Sequence, residues 1–193
     1  MSRVTTTDHP QARRAIRALS LPALIRLVTE IDDNGPISRR RGSLQSTFDD
    51  VAINQLRHAI DRAREFGLVH GDEHERVRYR LTDSGEELAE VYDTAARWAR
   101  THQFPTVASD FVTRVQRTLD LLGHAAALAH GAARLGEASG LAVPGDAVLD
   151  REAIAALDGP RNVLTAWLKA HAYVLHRTAL HSSHAADEWE PAA

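Results

Sequence analysis

Residues 76 to 81 read Arg-Val-Arg-Tyr-Arg-Leu, and this strict alternation constrains the chain more than any other stretch. A period of two places Val77, Tyr79 and Leu81 on one face of a strand and Arg76, Arg78 and Arg80 on the other. Such a strand is half-buried and carries a basic outer face. Leu68-Val69-His70 precedes it across a polar tip, Gly71 to Glu75, so the two segments read as a β-hairpin. Thr82-Asp83-Ser84 then leads into a helix, with Glu86 and Glu87 suited to the positive end of its first turn. Leu88, Val91, Tyr92, Ala95 and Trp98 give that helix an apolar stripe to about His102.

Upstream of the hairpin, Ile53, Leu56, Ile60 and Ala63 mark the inner face of a helix from about Asp50 to Phe66. Its outer face holds Asn54, Gln55, Arg57, His58, Asp61 and Arg62, and Gly67 is placed to stop it. An earlier helix carries Leu21, Leu24, Ile25, Val28 and Ile31, with Ser20 as the expected cap and Pro22 in its first turn. Asp32-Asp33-Asn34-Gly35-Pro36 ends it. Between the two, Ile37-Ser38 suggests a brief strand and Ser43 to Thr47 a short helix, while Ala12, Ile16 and Leu19 suggest a helix at the front. The order helix, short helix, longer helix, hairpin, helix predicts a mainly α chain of winged helix-turn-helix design, three helices plus a two-stranded wing.

Phe104-Pro105 breaks the chain. The expected division is therefore a DNA-binding unit over residues 1–104 and a helical extension over 105–193. A long helix from Thr106 to about Leu135 would carry Phe111, Val115, Leu119, Leu122, Ala126 and Ala129 as a packing seam, the expected dimerisation surface. Gly136 to Gly145 reads as a loop, Asp150 to Leu157 as a short helix, and Gly159-Pro160 as the start of a last helix. That helix bears Leu164, Trp167, Leu168, His171, Val174 and Leu175 on one side.

With no cysteine among 193 residues there is no disulfide framework, thiolate metal site or thiol chemistry. No apolar run approaches the roughly 20 residues that a membrane-spanning helix needs, and the polar start lacks a signal-peptide core. A soluble cytoplasmic protein is expected. No Gly-rich phosphate loop, Gly-x-Ser-x-Gly elbow or His-Glu-x-x-His occurs, so neither an enzyme nor a cofactor is expected. His171, His176, His181 and His184 are spaced by five, five and three, which does not stack ligands on one helix face, and no metal site is expected. His171 lies on the apolar side and reads as a packed histidine. Net charge is −3, but acids and bases balance up to His102 and the excess acid lies beyond it. Nucleic-acid binding depends on such local balance rather than on the total.

The stretch Arg64-Glu65-Phe66-Gly67-Leu68-Val69, followed by Val77-Arg78-Tyr79-Arg80-Leu81-Thr82-Asp83-Ser84-Gly85, resembles the helix, Gly-Leu-Val, wing, Tyr-x-Leu-Thr-x-x-Gly pattern of MarR-like regulators. Glu87-Leu88 through Trp98-Ala99-Arg100 is similar to the HxlR-type branch, while a helical extension beyond Pro105 is similar to the PadR type. The resemblance spans Leu21 to His102. It implies dimeric binding to inverted-repeat promoter DNA, usually as a repressor, sometimes tuned by a ligand or by oxidation. The absence of cysteine excludes thiol sensing, and the turn Ser46-Thr47-Phe48-Asp49-Asp50 departs from the usual pattern before the recognition helix.

The chemistry of base reading fits the helix over 50–66. Asn54 and Gln55 suit adenine and Arg57 suits guanine, with His58 on the same face. Arg39, Arg40 and Arg41 fall where phosphate contact is expected, and one or two of Arg76, Arg78 and Arg80 would join them from the wing. Asp49, Asp50 and Asp61 are unfavourable beside phosphates. The partners expected are double-stranded DNA and a second copy of the chain, with a small-molecule effector possible in the C-terminal helices. The alternative is a winged-helix protein-interaction module that does not read DNA, for which the mild acidity and the aspartates around Asp49 speak.

Overall fold

The computed structural model describes residues 10–71, 78–132 and 149–178. These are mainly helical, with one small antiparallel sheet. In chain order the elements are α1 (Pro10–Leu19), α2 (Pro22–Asn34), β1 (Ile37–Ser38), α3 (Arg41–Thr47), α4 (Ile53–Glu65), β2 (Val69–Gly71) and β3 (Arg78–Leu81). There follow α5 (Asp83–Thr101), α6 (Phe111–Ala132), α7 (Arg151–Ala156) and α8 (Asp158–Ala170), with helix resuming over 172–178. Gly136 to Gly145, the polar tip from residue 72 on, the first two residues of the expected strand after it and the end of the chain beyond 178 lie outside the described residues.

Local chemistry sets the boundaries. Leu21 is extended and Pro22 occupies the first turn of α2, where a missing N–H leaves nothing unpaired. Ser20, expected as the cap of α2, does not cap it. Its hydroxyl instead donates to the Arg17 carbonyl at 3.1 Å and to the Asp120 carboxylate of α6 at 3.3 Å. Thr82 caps α5 by accepting from the Gly85 N–H at 3.2 Å, and Asp150 caps α7 by accepting from Ala153 at 2.7 Å. The helix expected from Thr106 begins five residues later. Asp110 takes the Thr113 N–H at 2.7 Å, while Thr106 and Ser109 share a hydroxyl contact at 2.9 Å in the turn before it. The last helix is interrupted at His171 rather than continuous.

The sheet has three strands, not the two expected of the wing alone. β3 lies in the centre, in the order β1-β3-β2, all antiparallel. Ile37 pairs with Tyr79 and Val69 with Leu81, and all four side chains are buried. Directly opposed residues share a face, so the free edge of β3 gains an apolar partner from β1. The alternation read from the sequence holds over the described part of β3. Arg78 and Arg80 are exposed and Tyr79 and Leu81 buried, while Arg76 and Val77 fall outside the described residues.

One cluster of buried side chains runs through both halves of the chain. α5 lies at its centre, packed on α2, α6 and α8, and every member of its expected stripe is buried. The seam expected on α6 is used within the chain. Val115, Leu119 and Leu122 are buried in the same cluster where α6 packs on α1, α2 and α5, and Phe111 is partly buried. The side chains of Ala126 and Ala129 lie outside the described set. Periodicity marks a helix face as buried, but says nothing of whether its own chain or another covers it.

Tyr92 shows how polar groups are accommodated in this core. It is fully buried, and its hydroxyl donates to the Leu19 carbonyl at 2.7 Å, closing the end of α1 against α5. Burial raises its phenol well above the ordinary value, so it acts only as a neutral donor. Tyr92→Phe should therefore lower folding stability by about 1–2 kcal/mol, because the carbonyl is left without a partner. The urea midpoint should fall with an unchanged slope. An unchanged midpoint would mean that the carbonyl finds another donor.

Candidate nucleic-acid interface

The sheet and α5 meet at one tightly bonded junction. Gly67 ends the turn after α4 with φ at +62°, a conformation that side chains disfavour. Its carbonyl accepts from the Thr82 hydroxyl at 2.5 Å and from the Ser84 hydroxyl at 3.0 Å. The Thr82 N–H donates to the Leu68 carbonyl at 3.0 Å. Gly85 lies directly against that strand, and a Cβ there would come within 2.2 Å of the Leu68 carbonyl oxygen. The C-terminal helices reach the same point. Trp167 donates its indole N–H to the Ser84 carbonyl at 3.1 Å, and the Tyr173 hydroxyl donates to the Ser84 hydroxyl at 3.2 Å. Thus the Gly-Leu-Val and Thr-x-x-Gly segments are each other's contacts.

From this base α4 and the sheet present their polar faces. Asn54, Gln55, Arg57, His58 and Asp61 are exposed, opposite the buried Leu56, Ala59, Ile60 and Ala63. Arg62 departs from the expectation for this face. It is half-buried, paired with Glu65 at 3.1 Å, and its guanidinium lies 6.0 Å from the centre of the Phe66 ring. The outer sheet face carries Arg78 and Arg80, and the register adds Ser38 opposite Arg78 and His70 opposite Arg80. Sequence reasoning missed Ser38 and His70 because a strand's own alternation does not reveal what it pairs with.

The triple arginine is split in its roles. Arg39 lies 5.0 Å over the Tyr79 ring, while the Arg40 N–H donates to the Ser38 hydroxyl at 3.2 Å and Arg41 opens α3. All three are exposed. Arg76 lies outside the described residues.

Acidic groups border this surface. Asp49 is exposed in the turn between α3 and α4. Asp50 meets Arg26 of α2, with Nε to Oδ2 at 3.5 Å. Arg26 also pairs with Glu30 and lies 5.4 Å over the Phe48 ring. Desolvation alone would lower the pKa of this guanidinium, but the hydrogen bond and charge of Glu30, and then those of Asp50, raise it above its ordinary value. Farther along α2, desolvation and then Asp33, Asp93, Glu86 and Glu90 push the Asp32 carboxyl up, which marks the α2–α5 flank as electronegative. A groove of about 840 Å³ opens between α2, the turn before α4, α5 and the start of α6, lined in part by Arg26, Asp33, Asp50, Gln55, Asp93 and Phe111.

His171 is packed as expected of it. It stacks on Trp167 with ring centres 4.7 Å apart, meets the edge of Tyr173 and points Nε2 at Glu87 across 3.7 Å. His176 is exposed, and His181 and His184 lie outside the described residues. Among the described residues, no three metal-ligating side chains converge and no helix is long and apolar enough to cross a membrane.

No family model, curated protein or solved structure matches this chain. The functional reading therefore rests on the geometry and on the physical chemistry of the residues above.

Proposed function

We propose that the chain is a DNA-binding transcriptional regulator of the winged helix-turn-helix type, acting as a homodimeric repressor on inverted-repeat promoter DNA. The observation that carries this reading is the joining of two polar faces on one rigid base. α4 exposes Asn54, Gln55, Arg57 and His58, and the sheet bonded to its C-terminal turn exposes Arg78 and Arg80. The order α2, β1, α3, α4, β2, β3 supports the assignment, with α3 and α4 as the helix-turn-helix, α4 as the reading helix and β2–β3 as the wing.

In this reading Asn54, Gln55, Arg57 and His58 face base edges, while Arg40, Arg41, Arg78 and Arg80 face phosphates. Arg39 contributes charge while stacked on Tyr79. Arg76, expected in the same row from the sequence, lies outside the described residues. The dimer surface then lies elsewhere than on the Val115–Leu122 face of α6, which the chain's own core covers. A small-molecule effector would find space in the 840 Å³ groove, which touches both α6 and the turn leading into α4. The reading places the protein in the cytoplasm.

Fluorescence anisotropy against the DNA upstream of the gene and against random duplex, across a salt series, tests the proposal. The upstream DNA should be preferred, and log Kd should rise linearly with log salt as phosphate contacts release counterions. Equal, weak binding to both at low salt would remove the reading as a sequence-specific regulator, and no binding to either would remove DNA binding altogether. That second outcome would favour a protein-interaction module, for which the electronegative α2–α5 flank offers a surface.

A further inference from the structure

The turn into α4 carries two consecutive aspartates, Asp49 and Asp50, beside the surface assigned to the phosphate backbone. A carboxylate there opposes duplex binding, since unlike charges attract and these are like the phosphates. Both are exposed, but Asp50 alone is shown against a cation, with the guanidinium Nε of Arg26 at 3.5 Å from its Oδ2. That guanidinium is held from three sides. Glu30, one turn along α2, takes Nη1 and is itself fixed by the Asn34 amide at 3.0 Å. Phe48, the buried residue that ends α3, lies under the guanidinium plane. The Nε edge remains for Asp50. Glu30 and Phe48 thus fix the position of a positive charge at the start of the reading helix.

The geometry points to Arg26 as a positioning residue that masks the Asp50 carboxylate, so that the acidic turn tolerates a phosphate row without Arg26 touching DNA. This inference rests on the DNA-binding reading above. Its test is a double-mutant cycle on the full chain, with Arg26→Gln, Asp50→Asn and the pair together, read by anisotropy on a fluorescent random-sequence duplex at low salt. Arg26→Gln should weaken binding roughly threefold to tenfold, the effect of one charge set free near phosphates. Asp50→Asn should improve binding little in the native background. In the Arg26→Gln background it should restore most of the lost affinity. Equal gains from Asp50→Asn in both backgrounds would overturn the inference, because simple addition of charge would then account for them. A double variant as weak as Arg26→Gln would also overturn it, since Arg26 would then contact the duplex itself or support the fold.

Two controls keep the outcome readable. Arg26→Lys keeps the charge and should retain more than half of the affinity, even if Arg26→Gln lowers the melting temperature. A loss as large as that of the glutamine variant would count against masking. Arg161→Gln breaks the exposed Arg161–Asp158 pair on α8, at 2.8 Å, and should leave duplex affinity unchanged. If it weakens binding as much as Arg26→Gln, net charge is the cause and the inference fails. If the native chain binds no duplex at all, the DNA reading itself falls. Duplex binding with additive variants removes only the role of Arg26.

Discussion

Gly85→Ala should destabilise the chain by about 3 kcal/mol, the upper end of what an added methyl costs in a packed site. The new Cβ would lie 2.2 Å from the Leu68 carbonyl oxygen and 3.1 Å from the carbonyl carbon, both backbone atoms of the segment leading into β2. No rotamer change relieves such a contact, so either the first turn of α5 or the strand must shift. Either shift strains the Thr82 and Ser84 hydrogen bonds to the Gly67 carbonyl, which hold the two together. A loss of that size is a large fraction of the stability of an ordinary domain. It should appear as a lower urea midpoint and, where the variant remains folded, as weaker duplex binding through displacement of β2 and β3. A midpoint within experimental scatter of the native one would show that the junction is slack. Gly67→Ala provides the comparison, since its cost would come from the +62° φ, with Tyr173 no closer than 3.4 Å.

Arg57→Ala should reduce affinity for the preferred duplex roughly 10- to 100-fold, as expected when a forked contact to guanine is lost. Binding to random duplex should change much less, so the ratio between the two collapses. Arg80→Ala should behave differently. Arg80 is exposed on the outer sheet face, which the proposed reading sets against phosphates rather than base edges, so all duplexes should weaken alike. The slope of log Kd against log salt should fall by about one unit. Anisotropy on two duplexes at several salt concentrations separates the patterns. If Arg57→Ala lowered both affinities equally, α4 would be acting as a basic surface rather than as the reading element.

Much of the fold is legible in local pattern. Tyr79 and Leu81 alternate with arginines because a half-buried strand demands it, and the stripe from Leu88 to Trp98 is buried throughout. The Gly67–Gly85 pattern reads as a unit because its two ends, Gly67-Leu68 and Thr82 to Gly85, contact each other, so the chemistry that sets it lies within a short stretch of sequence. Features that depend on distant pairing are not legible. Ser20 looks like a helix cap until Asp120, 100 residues away, comes within hydrogen-bonding distance. The apolar stripe of α6 looks like a seam for a second chain until α1, α2 and α5 are found packed against it. In the candidate site, the exposed residues of α4 follow from helical spacing alone. The placement of Ser38 and His70 beside the arginines needs the strand register, and the meeting of Arg26 with Asp50 needs the packing of α2 on α4.

The internal use of the α6 stripe separates two equilibria that coiled-coil proteins couple. A helix that finds its apolar contacts only in a partner unfolds on dilution, and its melting temperature follows concentration. Here Val115, Leu119 and Leu122 are already enclosed by their own chain. On the dimeric reading proposed above, pairing of two copies would add to a core that the described part of α6 already shares with its own chain. For the operator-binding dimer proposed above, occupancy of a two-fold operator would then follow the cellular amount of the protein while each copy stays folded.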